Sequence, residues 1–543
     1  MVFARRSTTL LAAIIASCAM VLSLTACTSD NKTVVDGQTT VTSNSAGGVA
    51  VFTPSDGITL NQQTPLNKWA KLVPDLAKAL ADAGFKKGDI NHTTSDSLDK
   101  QSRAIQDFVV DHLSNNTTDD SGIAIAPDNM TLLVAPVVEA DASTRQYGDY
   151  VSQNLSTNDV TDEGATSDGE SSEDDSSKDD SSNTESDSTA SDEQAQAVDR
   201  LVSSLKLAKE SGMHVVLLGN SIEGYKPDAF VKFSDAQTIG KLQAEKMVSK
   251  LKLDKASKDN PKYIEVLLPY TAMDEKGNAN DSTFAQEAFR GIWQVLGSYY
   301  QKGVVESPSG TLDGKSTEND WQAVAYDAAK EGSTAKVLDK RLAKTDGQST
   351  LTRIDGIITM NDYIASEVVK ELDDLGYTGS AADINPQITI SGIVGNITVK
   401  KDLSRDAVPD PIKSPENDNA NDSSSSDDDA DEDTSASDKD RDSQWPLVTG
   451  YGAYVSNIPS IVNGKQWMTG MEDRQTIATD IAQACAKLNK DEALNSMPSI
   501  RNSEVGGVKK IPTISEPLLA VSASNLKSAL IDPGYISLAD AGL

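Results

Sequence analysis

The stretch "IDGIITMNDYIASEVVKELDDLGY", residues 354–377, sets an amide and a carboxylate, Asn361 and Asp362, where an apolar run gives way to a helical pattern. Ile354, Ile357 and Ile358 read as a short buried strand. Ile364, Val368, Leu372 and Leu375 then recur at helical spacing, and Gly376 suits the position just past a helix C-terminus. Polar side chains at the carboxyl end of a buried strand face the crevice in which open α/β sheets hold ligands. Two tasks are open to such a pair: hydrogen bonding to a ligand, or capping the helix that follows. Asn361 is expected to do the first and Asp362 the second.

Three further segments end a strand or open a helix with polar or aromatic groups. "LNQQTPLNKW" supplies Asn61, Gln62, Gln63, Lys68 and Trp69, "LLGNS" supplies Asn220 and Ser221, and "VTGYGAY" supplies Tyr451 and Tyr454. This inventory suits binding better than catalysis. The histidines, His92, His112 and His214, are scattered without metal-ligand spacing. The chain has no nucleophile elbow, phosphate-cradling glycine loop or paired-cysteine motif. No enzyme activity, cofactor or metal is expected.

The elements that must position these groups alternate. "MTLLVAPVV", "MHVVLLGN", "KYIEVLLPY" and "WPLVTGYG" are continuous apolar strands. Between them lie amphipathic helical patterns such as "LNKWAKLVPDLAKALADAGF", "QTIGKLQAEKMVSKL", "STFAQEAFRGIWQVLGSYY" and "RQTIATDIAQACAKL". Such alternation implies parallel sheets covered on both faces, and 543 residues hold more units than one sheet takes. The fold class expected is α/β, with two doubly wound parallel-sheet lobes. Cys485 falls in an amphipathic run and is expected in the core.

The formal charge of −33 is concentrated in two tracts. Ser156–Gln194 carries 14 acids and one lysine, and Asp410–Gln444 carries 13 acids and three basic residues. Both are too polar to bury a core and are expected as disordered surface inserts, 155–194 and 410–444. The acidity excludes nucleic-acid binding, which needs clustered Lys and Arg. At the amino terminus Arg5-Arg6, the apolar run "TLLAAIIASCAMVLSL" and "LTAC" describe an export signal over residues 1–26. "LTAC" resembles a bacterial lipobox, which implies lipidation at Cys27, a membrane anchor and a tether over 27–52.

Taken in order, "GITLNQQTPLNKWAK", "ESGMHVVLLGNS", "FSDAQTIGKLQAEKMV", "MNDYIASEVV", "PLVTGYGAYVSNIPSIVNGKQW" and "PLLAVSASNLKSALIDPGYISL" resemble the sugar-binding proteins of bacterial ABC importers. The likeness is greatest to the xylose and multiple-monosaccharide binders and runs from about Gly57 to the end, inserts excepted. The resemblance implies the type I periplasmic-binding fold, two lobes joined by a hinge. The N-terminal lobe would comprise 53–232 plus 472–513 and the C-terminal lobe 236–470 plus 516–543, with crossings near Phe233–Asp235, Thr469–Asp473 and Ile511–Pro517. Its implied ligand site comprises Asn61, Gln62, Lys68, Trp69, Asn220, Asp235, Asp281, Asn361, Tyr451 and Glu472. Trp69 and Tyr451 would face the sugar ring, while Asn361, Asp235 and Lys68 would bind its hydroxyls.

Partners implied are a small-molecule ligand of sugar type, an ABC permease, and the membrane through the lipid anchor, with the protein a monomer on the extracytoplasmic face. The departures from the family pattern concern the charged clamps. Gly219-Asn220 stands where the family carries Asp-Arg, Gly452 follows Tyr451 in place of Asp, and Met471-Glu472 replaces a basic or amide residue. Arg290 lies one residue before Gly291 instead of three, with Ala288 in the family's place. The expected function is capture of a carbohydrate or related polar solute between the lobes. The alternative is a receptor-like envelope protein, for interaction or sensing, whose sugar site has degenerated.

Overall fold

The computed structural model describes residues 46–55, 65–115, 125–138, 146–151, 153–156, 185–273, 280–328, 330–343, 351–381 and 445–543. Cys27, Asn61, Gln62 and the bulk of both acidic tracts lie outside the described residues.

Short apolar strands laid side by side build the first sheet. Its order is Ile500–Val505, Val508–Ser515, Ala229–Lys232, His214–Leu218, Met130–Val134, Gly48–Pro54, Ile90–Ser95. Every neighbouring pair is parallel except the antiparallel hairpin of its first two strands. Val49, Val51, Leu133, Val216 and Leu218 face one side, against the Trp69–Asp82 and Arg474–Leu488 helices. Ala50, Phe52, Leu132, Val215 and Leu217 face the other, against Leu98–Asn115 and Glu185–Glu210. Successive residues thus serve opposite cores, which is why these strands read as unbroken apolar runs.

A second sheet repeats the design with strands Val305–Glu306, Lys262–Val266, Gly356–Ile358 and Leu447–Val448, all parallel. Ile264 and Val266 pack on the Ala236–Lys250 and Thr283–Gln301 helices. Ile357 and Val448 pack on Ser333–Arg341 and Asp362–Asp374. Both sheets are doubly wound, so the α/β class holds. The chain passes from the first sheet to the second layer after Lys232 and returns from the Met468–Met471 strand into the Arg474–Leu488 helix. It leaves once more after Ser515, into Leu519–Ser522, which pairs antiparallel with Met468–Met471.

Two boundaries need correction. The first strand is Gly48–Pro54, so residues 48–52 belong to a sheet and not to the tether assigned to 27–52. Its run Gly-Val-Ala-Val-Phe is short and sits among Gly, Ser and Thr, and only pairing with Ile90–Ser95 and Met130–Val134 reveals it. The expected insert 155–194 is too wide at both ends. Leu155 is buried and pairs with Ile222, and the Glu185–Glu210 helix takes the last ten residues. Helix propagation from an apolar segment costs little per residue, and acidic composition suits the positive end of a helix dipole. Cys485 is fully buried against the first sheet, where burial pushes its thiol pKa up.

Candidate binding crevice

The Trp69–Asp82 helix begins beside the first sheet without a side-chain cap of its own, since its N-cap residue is Lys68. Asp149 supplies what is missing. One carboxylate oxygen pairs with Lys68 Nζ at 2.8 Å and the other accepts the Trp69 backbone N–H at 3.0 Å. A carboxylate at a helix N-terminus meets unsatisfied N–H groups and the positive end of the dipole together. Trp69 is 3% exposed and meets Tyr150 and Phe233 edge-on at 5.1 and 5.7 Å. Tyr150 in turn stacks on Phe233 at 4.8 Å and donates its hydroxyl to Lys68 O. Asn220, also buried, accepts from Gln153 N–H at 3.0 Å and donates to Pro136 O at 2.9 Å.

The second sheet presents a polar wall. Asn361 is the N-cap of the Asp362–Asp374 helix: its Oδ1 accepts Ile364 N–H at 2.9 Å, while Nδ2 donates to Gln146 Oε1 at 3.1 Å. Asp362 is fully buried and holds the neighbouring loop. It accepts Gln466 Nε2 at 2.7 Å, Thr469 Oγ1 at 2.8 Å and Tyr454 N–H at 2.9 Å. Burial pushes its pKa up to about 6, against the pull of those donors. The approach is so close that a Cβ on Gly450 would lie 2.1 Å from Asp362 Oδ1.

The cap expected of Asp362 is therefore supplied by Asn361, and Asp362 instead ties the helix start to Gln466 and Thr469. The N-cap must keep extended geometry, and Asn361, with φ −143° and ψ 166°, is the residue that has it. A one-residue shift in where the strand ends decides which side chain points along the helix.

A third group joins the first two passages of the chain between the sheets. Glu472, 1% exposed, accepts Ser234 N–H at 2.7 Å, the Ser234 hydroxyl, and Tyr451 OH at 3.2 Å. Burial raises the Glu472 pKa and drives that of Tyr451 well up. Tyr451 is fully buried, with Tyr147 at 6.3 Å, and Tyr147 lies 4.7 Å from Phe284.

Five of the expected site residues, Lys68, Trp69, Asn220, Asn361 and Tyr451, thus converge, and what they converge on is the chain itself. Gln146, Tyr147, Asp149, Tyr150 and Gln153 occupy the space between them. Glu472 joins the cluster through Tyr451, and Asp235 stays at its edge, capping the Ala236–Lys250 helix through Thr238 N–H at 2.7 Å and pairing with Lys232. Asp281 is not brought in: it forms a local turn at the start of the Thr283–Gln301 helix, accepting Thr283 N–H at 2.9 Å. Trp69 and Tyr451 are covered by tyrosines and are buried away from solvent. The segment that covers them escaped sequence reasoning, although "QYGDYV" at 146–151 is conspicuously aromatic for a loop beside an acidic tract. Among the described residues no cluster of His, Cys, Asp and Glu could hold a metal ion, and no helix is long and apolar enough to cross a membrane.

No family model matches the chain, and no curated protein matches it. Solved structures similar to it include an ABC transporter solute-binding protein from Clostridium phytofermentans with bound β-D-glucose, at 17% identity and TM-score 0.44, covering 91% of this chain and 99% of that one. A carbohydrate transporter solute-binding protein from Chloroflexus aurantiacus, in complex with D-glucose, has 17% identity and TM-score 0.43 over 91% of this chain and 98% of that one. A periplasmic ribose ABC transporter structure from Conexibacter woesei has 13% identity and TM-score 0.43 over 90% and 96%.

Proposed function

We propose that this chain is an extracytoplasmic solute receptor of the type I periplasmic-binding arrangement, anchored at Cys27, that captures a carbohydrate or related polar solute for an ABC permease. The lobes of this reading are the two sheet layers, and the hinge is the set of three passages between them. One observation carries it: polar and aromatic groups from the ends of both sheets converge on one crevice, with Lys68, Trp69 and Asn220 on one side and Asn361, Tyr451 and Tyr454 on the other. Crevices at the carboxyl ends of parallel strands are where such folds take ligands.

A thermal-shift screen with mono- and oligosaccharides tests the reading, because a ligand bound only by the native state raises stability by RT ln(1 + [L]/Kd). A midpoint that rises with sugar concentration is the expected outcome. A flat response across the panel favours the second reading, a receptor-shaped envelope protein with a degenerate sugar site. That second reading draws support from the tyrosines lying over Trp69 and Tyr451, and from Gly219-Asn220 standing where a charged clamp is expected. Anchoring is tested separately. Cys27→Ala should move the protein from the membrane fraction to the medium, and a variant still sedimenting with membranes would remove the lipid anchor from this account.

A further inference from the structure

The segment in the crevice is held unequally by its two sides. Toward the first sheet it is bound deeply: Asp149 N–H donates to Asn67 O at 2.8 Å, Asp149 pairs with Lys68, Tyr150 stacks on Phe233, and Gln153 O accepts Ser221 N–H at 3.0 Å. Gly148 is pressed so near, at φ 92°, that a Cβ there would meet Asn67 O at 2.6 Å. Toward the second sheet the polar contacts come from its leading end, and Val151 adds an apolar contact with the core of that sheet. Asn361 Nδ2 donates to the Gln146 side chain, Tyr454 OH donates to Gln146 O at 2.7 Å, and Tyr147 sits between Phe284 and Tyr451. The fit is incomplete. Among the described residues the buried Asn67 amide nitrogen beside Gly148 has no hydrogen-bond partner.

We propose that Gln146 and Tyr147 form an intramolecular latch that closes the crevice in the absence of solute, and that an incoming solute must displace them. The inference rests on the receptor reading for the identity of the displacing ligand, but the latch itself does not. Tyr147 offers Tyr451 and Phe284 a flat apolar face, and Gln146 offers Asn361 and Tyr454 acceptor oxygens. A sugar ring edged with hydroxyls carries the same two chemistries. A chain that shuts on its own residues keeps its open, binding-competent form at low population, and the apparent affinity for any solute falls by that fraction. Asp149, Tyr150 and Gln153 stay with the first sheet when the latch opens, because the partners described above lie there, while Val151 leaves the core of the second sheet.

The test compares Tyr147→Ala with Tyr150→Ala in the full chain by small-angle scattering, thermal unfolding, and calorimetric titration with D-glucose and D-xylose. Tyr147→Ala should enlarge the radius of gyration and tighten binding of at least one of the two sugars by about tenfold or more, while Tyr147→Phe behaves as the parent. Tyr150→Ala should lower the unfolding midpoint without the expansion. Should Tyr147→Ala fail to fold, Gln146→Ala removes the side-chain contact to Asn361 while leaving the crevice residues intact, and carries the same expectation. A Tyr147→Ala protein as compact as the parent, or one that merely loses stability as Tyr150→Ala does, overturns the latch. A variant that expands yet binds neither sugar upholds the latch and tells against the receptor reading instead.

Discussion

The two walls of the crevice are built of different materials. On the first-sheet side Trp69, Tyr150 and Phe233 form an aromatic cluster whose polar contacts, Asp149 with Lys68 and Trp69 N–H, lie at its rim. On the second-sheet side a single carboxylate, Asp362, is surrounded by neutral donors from Gln466, Thr469 and Tyr454, and no cation among the described residues bonds it. The aromatic wall draws its stability from area removed from water, which is indifferent to proton concentration. The polar wall depends on one group whose charge is unfavourable where it sits. The two should therefore fail under different insults.

The largest loss should come from the aromatic wall. Trp69→Ala removes the ring that meets both Tyr150 and Phe233 edge-on, and buried Trp truncations cost about 3–5 kcal/mol. Chemical denaturation should give that loss unchanged between pH 5 and 8, and a strong pH dependence would undo the contrast between the walls. Asp362→Ala comes next, at about 3 kcal/mol, because three donors are left buried without an acceptor. Gly450→Ala should approach the same loss from the opposite direction, through overlap with the Asp362 oxygen.

The pH profile sharpens the comparison. Asp362 has an ordinary value of 3.8 and a folded value of about 6, so between these the native state holds the additional proton. The unfolded state then binds fewer protons, and stability falls as pH rises from about 4 to about 6, then levels off. The fall is about 3 kcal/mol at most, because each tenfold change in proton affinity is worth about 1.4 kcal/mol. Glu472, raised by burial, acts in the same direction. The difference in unfolding free energy between the parent and Asp362→Asn should change across this range by up to about 3 kcal/mol, and a difference independent of pH would assign the titration elsewhere. The smallest effect belongs to Asn361→Ala, about 1 kcal/mol for a lost N-cap. A change larger than that would mean that Asn361 does more than cap its helix and hold Gln146.

Part of this arrangement was legible in the linear chain. "RQTIATDIAQACAKL" coincides with the Arg474–Leu488 helix, and the apolar-periodic run over 282–300 is offset by one residue from the Thr283–Gln301 helix. Helical spacing is a local property and survives in the folded protein. Gly376, with φ 90°, ends its helix as its residue type requires. The unbroken Val/Ile/Leu strands announced sheets buried on both faces, and both sheets are. Residues at strand ends could be selected as a set because the position of a strand end is also local.

What those residues touch was not legible. Tyr147 and Tyr150 lie 304 and 81 positions from Tyr451 and Trp69, and no spacing rule connects them; only closure of the two layers does. The move of the helix cap from Asp362 to Asn361 turned on one residue of register, set by whether Asn361 could stay extended while Asp362 turned inward to Gln466 and Thr469. The chain alone determined its α/β layers, its helices and the polarity of its strand ends, because these follow from nearest-neighbour sterics and apolar period. The tertiary structure decided which polar groups meet one another and which segment fills the space between them, because a hydrogen bond or a ring contact is fixed by distances that arise only after distant segments have packed.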